Sequence, residues 1–564
     1  MNLERKFAQG RQTGGLFTVN QTADKRHVII IGLDGGTWFV LNSAVSQGYM
    51  PQLQKLMRTG AWGVLKSTMP AITPAAWCAF HTGRNSGATG VFNFTTWNRQ
   101  TKQTHFVNSR SLPLTLWDIA GSQQKRIALL NVPLTYPPAP INGCVVSGLP
   151  TPSPDCDFTH PVELKNELLN KVPDYHIFNL GNIPQTHLLV KYESYVKQLA
   201  DIVAARTKAA QMLISKEPWD IFMAHFQATD VLQHALWCYL DPCHPLYQRE
   251  KHQYILENFY RRLDQGISTI LQSYQESVRS EITSFILSDH GFQTHRKRFN
   301  LGNWLDQQGL LRFNPRSIKP PLLKKFTQTI RLGRMLGRFL STQTVANMEK
   351  ILKLDSYPYL WENTRAFPVG RGGEGFIYLL EEDPADREKT IRYIAEQLRR
   401  VCDPENEAPI VQKIHRKEEL YRGEHIDDLP DLIVEPTPGY SFTADYQPNE
   451  GLFHEVRTET DFHLGQHHPD GIFLAAGADI ASAGNLQADI IDMMPTLGYY
   501  LGVSLPEGLD GQIIESIFRS SFKSSNPPPA FAQISVARPQ QKNNHLTPDE
   551  ESQIRQKLRN LGYL

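Results

Sequence analysis

The chain has 564 residues, 40% of them hydrophobic, and a formal net charge of +1. A chain this long buries a substantial core, its balanced charge argues against a nucleic-acid polymer as partner, and its six cysteines, with no Cys-x-x-Cys pair, favour reduced thiols over a disulfide framework. No apolar run reaches the roughly 18 residues of a membrane span, and no apolar stretch follows the charged N-terminus as it would in a secretory leader, so a cytoplasmic location is the expectation.

Residues 1–25 read as a flexible segment. The apolar run His27-Val-Ile-Ile-Ile-Gly-Leu33 then reads as a strand ending at Asp34-Gly35-Gly36. That places a carboxylate at the carboxyl edge of a sheet, where open α/β folds keep their ligands, and the glycines allow close backbone approach. In Met69–Phe80, Thr73 followed by Pro74 reads as a helix N-cap with proline at the first helical position. Its hydroxyl would lie beside free N–H groups that favour an anion, which makes Thr73 the candidate nucleophile. Arg126–Asn131 and Cys144–Ser147 are further strands. Asp230 and His234 stand at i and i+4 on one helix face, about 5–6 Å apart at their Cβ atoms, a spacing that suits two ligands of one metal. The strand Ile282–Ser288 exits at Asp289-His290-Gly291, and Asn303–Leu310 reads as a helix stopped by glycine.

From Gln307 to Met348 there is no Asp or Glu but a series of Arg and Lys, and residues 322–340 have the pattern of a basic amphipathic helix. Docking on its own domain is the favoured reading; peripheral contact with an anionic membrane or with an anionic substrate is the alternative. The next segment reads strand, helix, strand over Gly375–Leu380, Asp386–Arg399 and Ile410–Ile414. The core resumes near Asp431–Glu435, His467 arrives in the turn-rich Gly465–Gly471 before the strand Ile472–Ala476, and the core ends near Ile517. Residues 520–529 read as a linker, and Thr547–Gly562 as a capped terminal helix.

Each candidate has an ordinary explanation when taken alone: Asp34 as a turn residue, Thr73 as a cap, Asp230 with His234 as a solvated pair, Asp289-His290 as a strand exit. His468 rivals His467, while His295 and His463 read as neighbours of the site. His225, on an apolar segment, reads as a satisfied buried histidine, and Lys66, Arg84 and Arg296 as surface charge.

Taken together, Gly32-Leu-Asp-Gly35, Pro70-Ala-Ile-Thr-Pro-Ala-Ala-Trp77, Thr82-Gly83, Thr229-Asp-Val-Leu-Gln-His234, Ser288-Asp-His-Gly-Phe292 and Gly465-Gln-His467 stand in one order. In that order the chain resembles the alkaline phosphatase superfamily, in its type I phosphodiesterase and nucleotide pyrophosphatase branch, and looks closest to the phosphohydrolase or phosphomutase group within it. The resemblance runs from about Val28 to the C-terminus, with insertions. It implies an α/β fold with an alkaline-phosphatase-like, mostly parallel sheet and helices on both faces, plus a small α/β cap insertion and a basic helical insertion. The expected organisation is catalytic core over 26–305, basic insertion over 306–354, cap over 355–415, core return over 416–519, and linker with terminal helix over 520–564.

The same resemblance implies two divalent metal ions, with zinc expected and manganese the alternative. Asp34, Thr73, Asp289 and His290 would surround one ion, and Asp230, His234 and His467 the other. The implied activity is hydrolysis of a phosphoester through Thr73. A phosphomutase acting on a sugar phosphate, and a membrane-associated binding protein with a vestigial metal site, are the other readings. The chain departs from the family at Gly87-Ala-Thr-Gly90, where a Gly-x-His-Gly turn is common, and at Phe94, where nucleotide pyrophosphatases carry a phosphate-contacting asparagine and Asn93 lies one position off. Substrate class is therefore not carried over.

Overall fold

The computed structural model describes residues 26–99, 101, 103–177, 191–314, 359–370, 373–444, 451–457, 461, 463–529, 531–536 and 546–561. At its centre is a nine-stranded sheet in the order Ala483–Asp489, Ala61–Lys66, Asp470–Ala476, Ile282–Leu287, His27–Leu33, Ile221–Phe226, Ile127–Leu130, Gly143–Val146, Thr159–His160. The strands from Ile282–Leu287 through Gly143–Val146 pair in parallel, whereas Asp470–Ala476 runs antiparallel to both of its neighbours.

The near-continuous apolar runs follow from burial on both faces. Because successive side chains alternate across a strand, Val28 and Ile30 join Ile221, Met223, Phe285 and Leu287 in one core, under the helices Thr73–Thr82, Leu116–Ser122 and Met493–Leu501. Ile29, Ile31 and Leu33 join Phe222, Ala224, Phe226 and Ile286 in the other, under Trp38–Ser46, Tyr192–Ile214, Ala228–Leu240 and Arg261–Val278. The chain thus has the expected fold, a mostly parallel sheet with helices on both faces.

A second, four-stranded antiparallel sheet has the order Ala366–Val369, Gly375–Leu379, Leu432–Pro436, Val411–Arg416. The helix Pro384–Arg399 packs on it through Ile394 and Leu398. Here the strand expected to resume the core is corrected: Leu432–Pro436 pairs with Gly375–Leu379 in the small sheet, so that unit extends past residue 415. Pairing partners, not strand length or composition, decide which sheet takes a short apolar run.

Residues 520–529 also differ from expectation. Ser520–Ser525 is helical, because Phe522 is buried against Phe518 and Tyr500. The terminal helix Pro548–Leu561 buries Ile554 and Leu558 in the core that holds Ile29, Ile31 and Leu33. The basic stretch 322–340 lies outside the described residues. Among those described, no helix is long and apolar enough to cross a membrane, and all six cysteines are free.

Candidate metal centre

Three adjacent parallel strands end at one edge of the large sheet, and each delivers an acid there. His27–Leu33 runs into Asp34, Ile221–Phe226 into the helix carrying Asp230, and Ile282–Leu287 into Asp289. The crossings are locked by backbone and hydroxyl bonds: Asp34 N–H donates to Phe226 O at 3.0 Å, Thr229 Oγ1 donates to Asp34 O at 2.5 Å, and Ser288 Oγ donates to Gly36 O at 2.9 Å. Gly35 adopts φ +63, and its N–H donates to Asp289 Oδ1 at 3.1 Å, a turn that a side chain at 35 would obstruct.

After Asp289-His290, the short strand Gly291–Thr294 pairs antiparallel with Gly465–His468, setting Phe292 opposite His467. This pairing carries His467 into the site from far downstream. Its Nε2 lies 3.3 Å from Asp230 Oδ1 and 3.0 Å from His234 Nε2, and its ring stacks on His290 with centroids 3.6 Å apart. His468 points elsewhere and accepts from Asp470 N–H at 3.1 Å. His234 Nε2 is 3.3 Å from Asp230 Oδ1, as the four-residue spacing anticipates. His290 Nε2 is 3.3 Å from Asp289 Oδ2 and 3.7 Å from Asp34 Oδ1. Donor atoms of Asp34, Asp289 and His290 all fall within 4.8 Å of one another, as do those of Asp230, His290 and His467. His290 therefore borders both groups, whereas the sequence assigned it to one.

Each of these histidines is oriented through its other nitrogen. His234 Nδ1 meets Gly465 O at 2.9 Å, His467 Nδ1 meets Ala71 O at 3.0 Å, and His290 Nδ1 meets Gly291 O at 3.2 Å. A ring whose Nδ1–H is held by a carbonyl presents its Nε2 lone pair to a metal. Ala71 lies two residues before Thr73, so the His467 bond also ties down the loop that leads to the candidate nucleophile.

Thr73 corrects the sequence expectation in one detail. Ile72 is the N-cap, with extended φ −130 and ψ 147, and Thr73 is already the first helical residue, with no side-chain cap bond. Its hydroxyl is thus not spent on the helix. Thr73 Oγ1 is fully buried and has no hydrogen-bond partner.

The electrostatics suit a cation. Burial, reinforced by Asp289 and Asp230, pushes the Asp34 carboxyl well above the usual carboxylate range. Burial likewise lifts Asp289 to about 7. Burial pushes Asp230 upward too, but His234 and His467 outweigh it and hold that carboxyl well below its ordinary value. Burial drives His290 well down, whereas His467 rises against its burial because Asp230 hydrogen-bonds and attracts it. Three carboxylates in one water-poor pocket cannot all ionise without positive charge among them. The buried Asp34 Oδ1 and Oδ2, Asp289 Oδ2 and His290 Nε2 make no well-directed hydrogen bond, and mixed oxygen and nitrogen donors left in that condition fit divalent metal ions.

The other candidates lie outside this cluster. His295 bonds His463 O and Ser441 Oγ at 2.9 and 2.7 Å, while the His463 ring stacks on His234 at 4.2 Å. Arg84 donates to Glu507 O, and Asn93 Oδ1 accepts the Phe94 N–H. The Gly87–Gly90 turn packs on the small unit, where a Cβ at Gly87 would meet Arg422 O at 2.7 Å. Two neighbours escaped the sequence reading. His225 is not merely a satisfied core residue, for its Nε2 lies 3.1 Å from Asp34 Oδ2. Glu374, in the small unit, accepts the Ala71 N–H at 3.1 Å. Only the register Gly32–His225 between neighbouring strands foreshadows the first, and nothing local foreshadows the second.

Comparison with known proteins agrees with this architecture. No curated protein matches the chain significantly. Among solved structures, human ectonucleotide pyrophosphatase/phosphodiesterase 5 is similar with TM-score 0.50 and 12% identity, over 88% of this chain and 100% of that one. Phosphonoacetate hydrolase from Sinorhizobium meliloti 1021, solved with phosphonoacetate, is similar with TM-score 0.50 and 13% identity, over 85% of this chain and 96% of that one. At such identities the likeness shows the shared fold. The profile of type I phosphodiesterase/nucleotide pyrophosphatase matches residues 28–470. The chain belongs to the type I phosphodiesterase/nucleotide pyrophosphatase family, enzymes that hydrolyse phosphoric esters.

Proposed function

We propose that the protein is a metal-dependent phosphodiesterase that uses Thr73 as nucleophile at a two-metal centre. The observation that carries this reading is the Thr73 hydroxyl, buried without a partner on a helix whose entry loop is bonded to His467. Asp34, Thr73, Asp289 and His290 would hold one divalent ion and Asp230, His234 and His467 the other; the mixed donors accept zinc, the expectation from the resemblance, and manganese alike. When bound, the ions supply a stabilised threonine alkoxide near neutral pH and offset charge on the phosphoryl oxygens.

The chain's own groups do the rest. The first-turn N–H groups of Thr73 and Ala75 have no acceptor within the helix and hold phosphoryl oxygens. Thr73 Oγ1 gives up its proton to solvent and bonds to phosphorus as the ester oxygen departs with its electron pair and takes a proton from solvent. Water then attacks the phosphothreonine, releasing the second product and restoring the Oγ1–H.

The test is parallel turnover of bis(p-nitrophenyl) phosphate, p-nitrophenyl phosphate and p-nitrophenyl sulfate, with zinc or manganese, by the wild type and Thr73→Ala. Diester hydrolysis lost in Thr73→Ala is the expected result. Equal rates in the two proteins, or no turnover by fully loaded wild type, overturn the reading.

A further inference from the structure

We infer that Ser43 and His252 form a second nucleophilic site, separate from the candidate metal centre, which hydrolyses carboxylic esters that carry a small acyl group and an apolar or aromatic arm.

Two helices and the end of a third build it. Ser43 lies on Trp38–Ser46, His252 on Arg249–Ile255, and Tyr239 in the last turn of Ala228–Leu240. The last four carbonyls of a helix have no partner within it. The Cys243 N–H, which a longer helix would bring to Tyr239 O, is turned to Asp241 Oδ1 at 2.8 Å. Tyr239 O instead meets His252 Nδ1 at 3.1 Å. Burial lowers the pKa of His252, outweighing the upward pull of that carbonyl, so the ring is neutral at pH 7. A carbonyl only accepts, so Nδ1 carries the single ring proton and Nε2 keeps its lone pair.

That lone pair faces Ser43 Oγ at 3.1 Å, which makes the serine hydroxyl the donor. Gln47, one turn further along the same helix, donates from Nε2 to Ser43 Oγ at 3.0 Å. Ser43 stands in the last turn of its helix, where the macrodipole disfavours an anion, so activation falls to His252 and Gln47. A hydroxyl bonded to a neutral imidazole, with a third group orienting the ring through its other nitrogen, is the arrangement of an activated nucleophile.

The surroundings leave the nucleophile reachable and the base shielded. Ser43 is half-buried, while His252 is only 4% exposed. Phe39, four residues before Ser43 and so on the same helix face, is 51% exposed and stacks on Trp237 at 5.7 Å. The Tyr247 ring lies 5.5 Å from that of His252, and its neighbour Leu246 is 40% exposed. These side chains suit the apolar arm of an ester. Ser43 Oγ passes its proton to His252 Nε2 and bonds to the carbonyl carbon; the ester oxygen leaves with its electron pair and takes that proton. Water then gives a proton to Nε2 and attacks the acyl carbon, the acid departs, and Ser43 Oγ recovers its proton.

The experiment follows hydrolysis of p-nitrophenyl butyrate and labelling by a fluorophosphonate probe in zinc-loaded, full-length wild type, Ser43→Ala and His252→Gln, with Tm measured on each. Peptide mass mapping locates the label, and Ser43 and Thr73 fall on different tryptic peptides because Lys55, Arg58 and Lys66 lie between them. The expected result is a label on Ser43 in the wild type that is lost in His252→Gln, with kcat/KM for the ester lower by at least about tenfold in both variants. No label on Ser43 in the wild type, or an ester rate in Ser43→Ala within about twofold of wild type, overturns the inference. A Tm that falls in Ser43→Ala while the ester rate stands does so too, and leaves the bond as a brace between two helices. If His252→Gln fails to fold, wild-type labelling and Ser43→Ala decide. The phosphodiesterase reading is tested on phosphate diesters and survives either result.

Discussion

His225 Nε2 stands 3.1 Å from Asp34 Oδ2, while the other oxygen of that carboxylate faces His290 Nε2 at 3.7 Å. The imidazole is itself fixed, edge-on to Trp77 at 5.0 Å and bonded to the Asn131 backbone, and burial lowers its pKa to about 3. The ring is thus a fixed neighbour of the Asp34 carboxylate, in close approach to it without a well-directed hydrogen bond. His225→Leu is expected to weaken metal retention by about 10- to 100-fold, with His225→Gln in between. Chelator competition measures it, and wild-type affinity in His225→Leu would show that the ring only fills space.

Thr73→Val replaces a buried, unpartnered hydroxyl with a methyl of similar size. Leaving a hydroxyl unpaired in the interior costs about 1–3 kcal/mol. The metal-free variant should therefore be as stable as wild type or up to about 1 kcal/mol more so, although diester turnover falls more than about a thousandfold. Urea denaturation and steady-state kinetics on one preparation check both halves. A destabilised Thr73→Val would mean that the hydroxyl bonds something in solution.

The raised carboxyls give the metal-free protein a definite pH dependence. Asp289 is lifted to about 7 from an unfolded value near 3.8, and Asp34 is lifted as well. Between those values the folded state binds more protons than the unfolded state, so this site's contribution is fully present below about pH 4 and is lost as pH rises through about 7. Asp289→Asn removes one such charge and should stabilise metal-free protein at pH 8 by on the order of 2 kcal/mol, with little gain at pH 4. Denaturation curves at the two pH values, with and without zinc, decide it; zinc should reverse the sign at pH 8.

Gly35 and Gly48 both have left-handed backbone, with φ +63 and +78. A Cβ at Gly48 meets nothing within 4 Å, whereas one at Gly35 comes 2.4 Å from Phe292 Cε2. Phe292 in turn packs on His234 and His467, at 4.7 and 5.4 Å. Gly48→Ala should cost about 1 kcal/mol, while Gly35→Ala should cost about 2–4 kcal/mol and lower metal content as well. Equal losses in Tm would remove the steric account.

Much of the candidate site was legible because its candidate ligands sit where local pattern changes. Asp34 follows an apolar strand and precedes Gly35, Asp289 follows another and is trailed by His290 and Gly291, and Asp230 with His234 stands at helical spacing. What pattern does not carry is partnership across the fold. Leu432–Pro436 has the composition of a core strand, yet it pairs in the small sheet, since its neighbours are chosen by tertiary packing. His225 looks like an ordinary apolar-strand histidine until the parallel register places it opposite Gly32, two residues before Asp34. Glu374 has no motif at all; its meaning comes from a peptide group about 300 residues away, the separation of its bond to Ala71 being 303. Local pattern makes Thr73 the cap of its helix, and one residue of shift in the helix start leaves its hydroxyl without a cap bond.

The strand Asp470–Ala476 lies between Ala61–Lys66 and Ile282–Leu287, immediately after His467. A nascent chain that has emerged only as far as residue 465 therefore has two edges waiting for a wedge that is still inside the ribosome. Until that wedge arrives, the acids on the three central strands have neither their last histidine nor a closed sheet behind them. The candidate metal site is thus completed only once residue 467 and the strand after it have been made, and a truncation before residue 470 is expected to leave an open, aggregation-prone half.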